Sequence, residues 1–220
     1  MVAGIIPHDP GAFTQGLEIR NGFLWESTGI YGESSFRKTS LATGEVLQLM
    51  RLPDSVFAEG FTFLDDSTVC LLTWREHLAF TIHTPSMEIL GEFPLQGEGW
   101  GLCMGNGVLF QSNGTSVLTI RDPKTFEPLD SISVTLNGQP QVFINELEFA
   151  SGKILANQWQ TERILFINPG TGNVERVVSL RNAVPSGSGV MNGLAVDSTG
   201  NIFCSGKNWP VTLIVDLNGD

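Results

Sequence analysis

The segment FAEGFT (residues 57–62) contains a three-residue string that recurs along the chain and decides the expected fold. The string is a polar residue, a small or turn-forming residue, and then a large apolar one. Successive copies begin 44, 39, 47 and 47 residues apart, and 43 residues lead from the last copy round to the first. The copies are Gln15-Gly16-Leu17, Glu59-Gly60-Phe61, Glu98-Gly99-Trp100, Asn145-Glu146-Leu147 and Asn192-Gly193-Leu194. Five repeating units therefore account for all 220 residues.

Each unit carries a similar succession of short strands and turns. Period-two strands such as SVLTIRD (116–122) and RILFIN (163–168) alternate with turn signals such as LATGE (41–45). No amphipathic window indicates a helix. Several strands in a period of about 40–50 residues predict an all-β, five-bladed β-propeller with four antiparallel strands per blade. We expect one such domain over residues 1–220; a β-sandwich of unequal hairpins is the alternative, which the near-equal spacing disfavours.

The charge of the chain argues against two classes of partner. The sequence holds 12 Lys and Arg against 23 Asp and Glu, a formal net charge of -11. Nucleic-acid binding needs clustered basic residues, and an anionic membrane surface attracts basic segments. We therefore expect neither a nucleic acid nor a membrane as a partner. A closed propeller exposes few sheet edges, so we expect a monomer.

The cysteines and the N-terminus carry little functional signal. Cys70, Cys103 and Cys204 each lie in an apolar run, which predicts buried free thiols rather than a disulfide. No apolar stretch approaches the ~20 residues of a membrane span. The N-terminal sequence MVAGIIPHDPG (1–11) lacks a basic region followed by a long apolar one, so no signal peptide is expected. An intracellular protein and the mature form of an exported one both fit.

A propeller gathers the strings at one mouth of its central channel, because the first strand of each blade lines that channel. The polar residues of the five strings would then form a ring, and Trp74, Trp159 and Trp209 with Lys207 would reach the same end. Carboxylates and amides walled by indoles suit a small, partly apolar, amine-bearing ligand. The same tryptophans would equally serve to pack blade against blade. The expected ring is Gln15, Glu59, Glu98, Asn145 and Asn192.

Several chemistries lack the residues they need. His8, His77 and His83 are not spaced as zinc ligands, no GxSxG elbow is present, and GEGWGLCMG (97–105) lacks the lysine of a phosphate loop. No metal site is therefore expected, although calcium in the channel stays an alternative through the carboxylates of Glu98, Glu146 and Glu148. The chemistry that remains after these exclusions is acid/base catalysis by a carboxylate. The candidates are Glu59, Glu98 and Glu146, and the repeats alone do not choose among them.

Longer motifs resemble one protein family. The chain resembles the plant-type glutaminyl cyclases, the glutaminyl-peptide cyclotransferases of plants and bacteria, from His8 to about Pro210. That family is a five-bladed propeller, unrelated in fold to the animal-type zinc enzymes. Two small departures are Ala58 in place of an expected glycine, and SLATG (40–44) in place of a DLxTG turn. The motifs are PHDPGAFTQGLE (7–18), ESTGIYGESSFRK (26–38), FAEGFT (57–62), LTWRE (72–76), GEGWGL (97–102), DPKTFE (122–127), INELEF (144–149) and ANQWQT (156–161).

The resemblance implies a role for each matching residue. Glu59 would transfer the proton, and Asn145 and Trp100 would belong to the pocket. The reaction also needs fixed donors for the oxyanion, for which Asn145 and the Trp100 indole N–H are the candidates, so these three are the predicted catalytic residues. Lys207 would either orient Glu59 or bind the substrate backbone. The predicted substrate-binding residues are Phe13, Gln15, Phe57, Trp74, Trp159 and Lys207.

The implied activity is metal-independent and requires no cofactor. N-terminal glutamine of a peptide or protein would close to pyroglutamate with release of ammonia. A non-catalytic propeller that binds amine-bearing peptides is the alternative from another functional class. A propeller with a purely structural calcium ion in its channel is a third.

Overall fold

The computed structural model of this protein describes residues 1–217, which contain no α-helix. Five four-stranded antiparallel sheets form the five blades within that range, and one two-stranded hairpin adds to them. The all-β, five-bladed prediction is confirmed. Among the described residues there is also no helix of the length and apolar character that crossing a membrane would take. The prediction of one domain over residues 1–220 stays a prediction, and residues 218–220 lie outside the described part.

The strands follow one another in the order of the blades. Blade 1 holds β2–β5, blade 2 β6–β9, blade 3 β10–β13 and blade 4 β16–β19, with β14–β15 as the hairpin between the last two. The strands are β1 (Val2–Pro7), β2 (Thr14–Arg20), β3 (Phe23–Thr28), β4 (Ser35–Ser40), β5 (Val46–Arg51), β6 (Ala58–Phe63), β7 (Thr68–Thr73), β8 (Leu78–His83), β9 (Glu88–Pro94), β10 (Leu102–Gly105), β11 (Val108–Gln111), β12 (Val117–Arg121), β13 (Pro128–Ser133), β14 (Thr135–Leu136), β15 (Gln139–Pro140), β16 (Ile144–Ala150), β17 (Lys153–Gln158), β18 (Arg163–Ile167), β19 (Val174–Ser179), β20 (Met191–Val196), β21 (Ile202–Gly206) and β22 (Val211–Val215).

Blade 5 closes the ring with strands from both ends of the chain. Its order is β1-β22-β21-β20, so the N-terminal strand is the outermost strand of the last blade. Ile5 pairs with Leu213, and the Asp216 amide donates a hydrogen bond to the Met1 carbonyl. The count from the last string round to the first assigned these N-terminal residues to the fifth unit, but it did not show that they form the outermost strand of that blade.

The recurring string lies at a β-bulge on the innermost strand of four blades. The register shifts between Thr14 and Gly16, and at the same point in blades 2, 4 and 5. A bulge re-aims one side chain, here the polar residue of the string. It also brings neighbouring blades into backbone contact. The Gly60 amide donates to the Trp100 carbonyl at 2.7 Å, and a Cβ on Gly60 would lie 2.7 Å from that same oxygen.

Blade 3 departs from the expected register by two residues. Its innermost strand begins at Leu102, so the equivalent string is Trp100-Gly101-Leu102 rather than Glu98-Gly99-Trp100. A Cβ on Gly101 would lie 2.1 Å from the Asn145 carbonyl oxygen, which is the same close approach that Gly60 makes one blade earlier. The expectation that Glu98 belongs to the inner ring is therefore wrong. Glu98 lies in the connection from blade 2 to blade 3.

Apolar side chains of adjacent blades pack between the sheets to form the core. In the cluster between blades 1 and 2, Trp25 stacks on Phe36 at 5.5 Å between ring centroids. Cys70, Cys103 and Cys204 are all buried free thiols, which confirms the sequence prediction.

Candidate active site

A cavity of about 300 Å³ opens at one end of the channel. Every residue to which the sequence assigns a catalytic or substrate-binding role lines it. Their presence around one cavity is an observation, whereas their individual roles stay predictions. The lining residues are Phe13, Gln15, Phe57, Glu59, Trp74, Trp100, Asn145, Trp159 and Lys207.

Two recurring positions in the blades supply six of these nine side chains. Gln15, Glu59 and Asn145 come from the starts of innermost strands, at the bulges. Trp74 and Trp159 directly follow the second strand of their blades, as does Lys207 in blade 5. Because antiparallel neighbours place the start of one strand beside the end of the next, both sets meet at the same end of the channel.

Glu59 is the buried acid of the pocket. Its residue surface is 5% exposed, and its Oε1 accepts a hydrogen bond from Gln15 Nε2 at 3.1 Å. Burial raises the pKa of Glu59 well above its ordinary value; the Lys207 ammonium opposes this rise, and the nearby carboxylates of Glu98 and Glu76 add to it. A carboxyl group whose pKa is raised in this way is a candidate for taking up a proton and giving it back.

Lys207 is the cation of the pocket. Its backbone pairs with Phe13, and its Nζ lies 4.6 Å above the centre of the Phe13 ring. Burial lowers the pKa of Lys207, and the charge of Glu59 works against that shift. The two groups therefore influence each other's protonation without a direct ion pair between them among the described contacts.

A chain of amides extends from Glu59 across the channel. Gln15 donates to Glu59 and accepts from Asn192 Nδ2, and Asn192 Oδ1 accepts from Asn145 Nδ2 at 3.1 Å. Asn192 is fully buried. The sequence placed it in the ring but assigned it no role in the site. Its position in the fifth copy of the string is the signal that could have identified it.

The Trp100 indole differs from its expected role. Its single N–H donates to Glu98 Oε2 at 3.0 Å, so in this structure it is not free to bind an oxyanion. Trp100 walls the pocket instead. Trp74 donates its indole N–H to the same Glu98 oxygen at 3.0 Å.

Tyr31 and Glu76, which the sequence did not single out, also contact the aromatic wall of the pocket. Tyr31 packs edge-on against Phe57 at 5.5 Å, and its hydroxyl donates to Glu76 Oε1 at 2.7 Å. Glu76 Oε2 in turn accepts from the Phe57 amide at 3.4 Å. Neither position carries a repeat signal, because each depends on one loop rather than on the shared blade pattern.

Trp209 does not reach the pocket, contrary to the sequence expectation. It is fully buried in the core of blade 5, and its Nε1 donates to the Gly189 carbonyl at 2.8 Å. The indole folds back over Gly206, where any Cβ would lie 2.4 Å from Trp209 Nε1. Because Gly206 has no side chain, the Trp209 ring can occupy this position in the core.

The remaining channel carboxylates serve the structure. Glu146 accepts the amides of Leu17 and Leu194, at 3.4 and 2.8 Å, and so ties blade 4 to blades 1 and 5. Glu148 lines a separate cavity at the far end of the channel together with Glu18. Among residues 1–217, no three histidine, cysteine or acidic side chains are grouped to hold a metal ion. The three carboxylates considered for calcium are therefore not assembled into one site.

His8 is buried at the closure of the ring. Its Nε2 lies 2.9 Å from Glu26 Oε1, which also accepts from the Thr14 hydroxyl, and its Nδ1 lies 2.7 Å from the Trp209 carbonyl oxygen. These contacts bind blade 5 to blade 1 beneath Phe13. They support a structural reading of His8.

The fold and the pocket together define a five-bladed propeller with an enclosed aromatic site built around a buried carboxyl group. A family model described as glutamine cyclotransferase matches residues 1–217. The chain belongs to the glutamine cyclotransferase family.

Known relatives agree in sequence and in fold. The chain is 37% identical to a glutaminyl-peptide cyclotransferase of Arabidopsis thaliana, over 95% of this chain and 68% of the relative. It is 36% identical to the Myxococcus xanthus glutaminyl cyclase in its crystal structure, with a TM-score of 0.88 over 98% and 97% of the two chains. The Neurospora crassa Pan2 WD40 domain, 11% identical with a TM-score of 0.55 over 97% and 94%, shares the propeller fold alone.

Proposed function

We propose that this protein is a glutaminyl-peptide cyclotransferase. It converts N-terminal glutamine of a peptide or protein to pyroglutamate and releases ammonia, and Glu59 moves the proton. The observation that carries the proposal is a buried Glu59 beside Lys207 and an amide chain, at the base of a pocket walled by three indoles.

The pocket favours the reactive form of the substrate. The α-amine attacks only when neutral, and its unperturbed pKa of about 7.7–8.0 already makes that form accessible near neutral pH. Desolvation between the Trp74, Trp100 and Trp159 rings would lower that pKa further. Ring closure is intramolecular, so a wall that holds the side chain folded back towards the amine supplies much of the acceleration.

Glu59 carries one proton from the attacking amine to the departing amide nitrogen. The amine nitrogen bonds to the side-chain amide carbon, and Glu59 takes the proton that this nitrogen loses. The carbon–nitrogen bond of the amide then breaks, and Glu59 returns the proton to the departing NH₂ group, which leaves as ammonia. A carboxyl group with a raised pKa suits both steps, because the rise brings its proton affinity closer to that of the amine.

Asn145 is the proposed oxyanion donor. One N–H of its amide is bonded to Asn192, and the amide nitrogen carries a second N–H. Removing such a donor typically costs about 10²–10³ in rate. Trp100 is no longer a candidate for this role, since Glu98 occupies its N–H.

Lys207 supports the ionised state of Glu59. Its positive charge acts on the Glu59 carboxyl in the direction that lowers the pKa, against the effect of burial. We assign Lys207 this electrostatic role and propose that the aromatic side chains bind the substrate. No bound metal ion or cofactor takes part in the proposed steps.

Ammonia release from a Gln-initiated dipeptide tests the proposal. We expect release at a rate that is unchanged by a metal chelator, with pyroglutamyl product in equal amount. A peptide that binds at the pocket without any ammonia release would instead identify the protein as the non-catalytic binder. Loss of activity or of thermal stability on chelation would indicate a metal ion in the channel.

A further inference from the structure

The aromatic side chains in and around the pocket form two separate runs of ring contacts. One run ends at Trp74 and the other begins at Trp100. Within the part of the chain that the structure describes, no ring contact joins these two indoles. The contacts, with their centroid separations, are Phe13–Phe57 at 6.1 Å, Tyr31–Phe57 at 5.5 Å and Phe57–Trp74 at 5.4 Å in the first run, and Trp100–Trp159 at 5.6 Å and Phe143–Trp159 at 5.7 Å in the second.

The Glu98 carboxylate lies in the gap between the two runs. Its Oε2 accepts the indole N–H groups of Trp74 and Trp100, each at 3.0 Å. Its Oε1 accepts Arg75 Nε at 2.9 Å, and the Arg75 guanidinium lies 3.7 Å above the Trp74 ring. One side chain therefore connects a loop of blade 2 to the connection that leads into blade 3.

We propose that Glu98 is a positioning residue for the cyclisation, which sets the orientation of the Trp74 and Trp100 indoles and so the shape of the substrate pocket. This inference rests on the function proposed above. An indole has a single N–H donor, so a bond to a fixed acceptor determines the direction of the ring plane. Bonds to an ionised acceptor are about twice as strong as neutral ones. Because the substrate must be held folded back on itself, small errors in the wall reduce the rate steeply.

The protonation of Glu98 suits a fixed acceptor rather than an acid/base. Burial works to raise the pKa of Glu98, but the hydrogen bonds from Trp100, Arg75 and Trp74 outweigh it and hold the pKa below its ordinary value. Glu98 therefore stays ionised near neutral pH. Its charge also reaches Glu59, whose pKa it raises.

Two substitutions separate the geometric effect from the charge. Glu98→Ala removes every bond to the indoles, and we expect kcat/KM to fall on the order of 10²-fold. Glu98→Gln keeps one oxygen that can accept both indole N–H groups but loses the charge. We expect it to retain more activity than Glu98→Ala, with the pH dependence of kcat displaced to lower pH because the pKa of Glu59 falls. Glu92→Gln, an exposed residue of β9, removes the same charge without touching the pocket and serves as the control.

Near-ultraviolet circular dichroism of the tryptophans gives a second reading that needs no substrate. We expect the signal to change strongly in Glu98→Ala, weakly in Glu98→Gln and not in Glu92→Gln. If Glu98→Ala keeps wild-type kcat/KM and the wild-type tryptophan signal, the positioning role is wrong. If the wild type releases no ammonia but Glu98→Ala still alters the tryptophan signal, the proposed function is wrong, whereas the role of Glu98 in orienting the two indoles stands. If Glu98→Ala does not fold, Glu98→Asp replaces it, because the shorter side chain keeps the charge but withdraws the oxygens from the indoles. Wild-type kcat/KM together with the wild-type tryptophan signal in Glu98→Asp would then overturn the proposal.

Discussion

Glu59 lies among groups that act on its protonation in opposite directions. Burial favours the neutral acid, Lys207 favours the carboxylate, and the charges of Glu98 and Glu76 again favour the acid. A residue that must first accept a proton and then return it needs groups nearby that favour each of its two forms, and Glu59 has both. The sequence identified Glu59 through its resemblance to a family motif, since the repeats alone left three carboxylates open.

Removal of the Asn145 amide tests the oxyanion assignment. We expect Asn145→Ala to lower kcat about 10²–10³-fold, because the lost donor acts on charge that develops only in the transition state. KM should change little for the same reason. Steady-state kinetics with a Gln-initiated dipeptide measure both constants. A rise in KM with kcat unchanged would place Asn145 in ground-state binding instead.

Other residue-level features depend on packing that a linear pattern does not encode. The sequence placed Trp209 beside the pocket because it comes shortly after a second strand, whereas Trp74 and Trp159 directly follow theirs. The structure turns its indole inward over Gly206. In the same way, the bond between Trp100 and Glu98 depends on a rotamer, and no spacing rule could have predicted it.

At the level of the element, the recurring string is a bulge that places a polar side chain at the channel. Its period predicted the number of blades because each blade needs one such innermost strand. The two-residue misplacement in blade 3 arose because Glu98-Gly99-Trp100 fits the polar, small, apolar pattern, whereas the triplet that starts the strand, Trp100-Gly101-Leu102, begins with an apolar residue. Backbone contact between Gly101 and Asn145 distinguishes them, and only the folded ring contains that contact.

The close approach of neighbouring innermost strands predicts a large effect at Gly101. A Cβ there would lie 2.1 Å from the Asn145 carbonyl oxygen, a backbone atom that cannot move alone. We expect Gly101→Ala to lower the free energy of unfolding by about 1–3 kcal/mol or more. Gly91→Ala on β9 is the control, because its Cβ would meet nothing closer than 3.5 Å. Denaturant unfolding measures both, and equal stabilities would contradict the account of the bulge.

At the level of the whole molecule, the ring is closed by β1, which comes from the opposite end of the chain to the other strands of blade 5. β1 completes blade 5 from the N-terminal end, so the chain holds itself closed through β-pairing of its two ends. The sequence predicted the fold because each blade repeats one local pattern. The count from the last string round to the first grouped the N-terminal segment with the fifth unit, but periodicity does not show that β1 pairs with β22.

The far end of the channel gives the molecule a pH-dependent stability. Burial raises the pKa of Glu18 from 4.5 to about 7, although the Phe63 amide, Thr62 and Arg20 partly oppose the rise. The folded state therefore keeps a proton that the unfolded chain releases. The stability this provides is full below pH 4.5 and is lost as the pH rises through about 7.

Substitution of Glu18 measures that contribution. We expect Glu18→Gln to be more stable than the wild type at pH 8, by on the order of 1–3 kcal/mol, and nearly equal to it at pH 5. Glu45→Gln, an exposed residue, should show no such difference between the two pH values. Thermal unfolding at both pH values provides the comparison. A stability gain of equal size at pH 5 would assign the effect to packing rather than to ionisation.

The most direct test of the proposed enzyme is the rate of ammonia release by Glu59→Gln. The substitution keeps the shape of the buried side chain and removes its capacity to carry a proton. We predict a fall in kcat of about 10²–10⁴-fold with the Gln-initiated dipeptide still bound. Ammonia release at the wild-type rate by a folded Glu59→Gln protein would contradict the account.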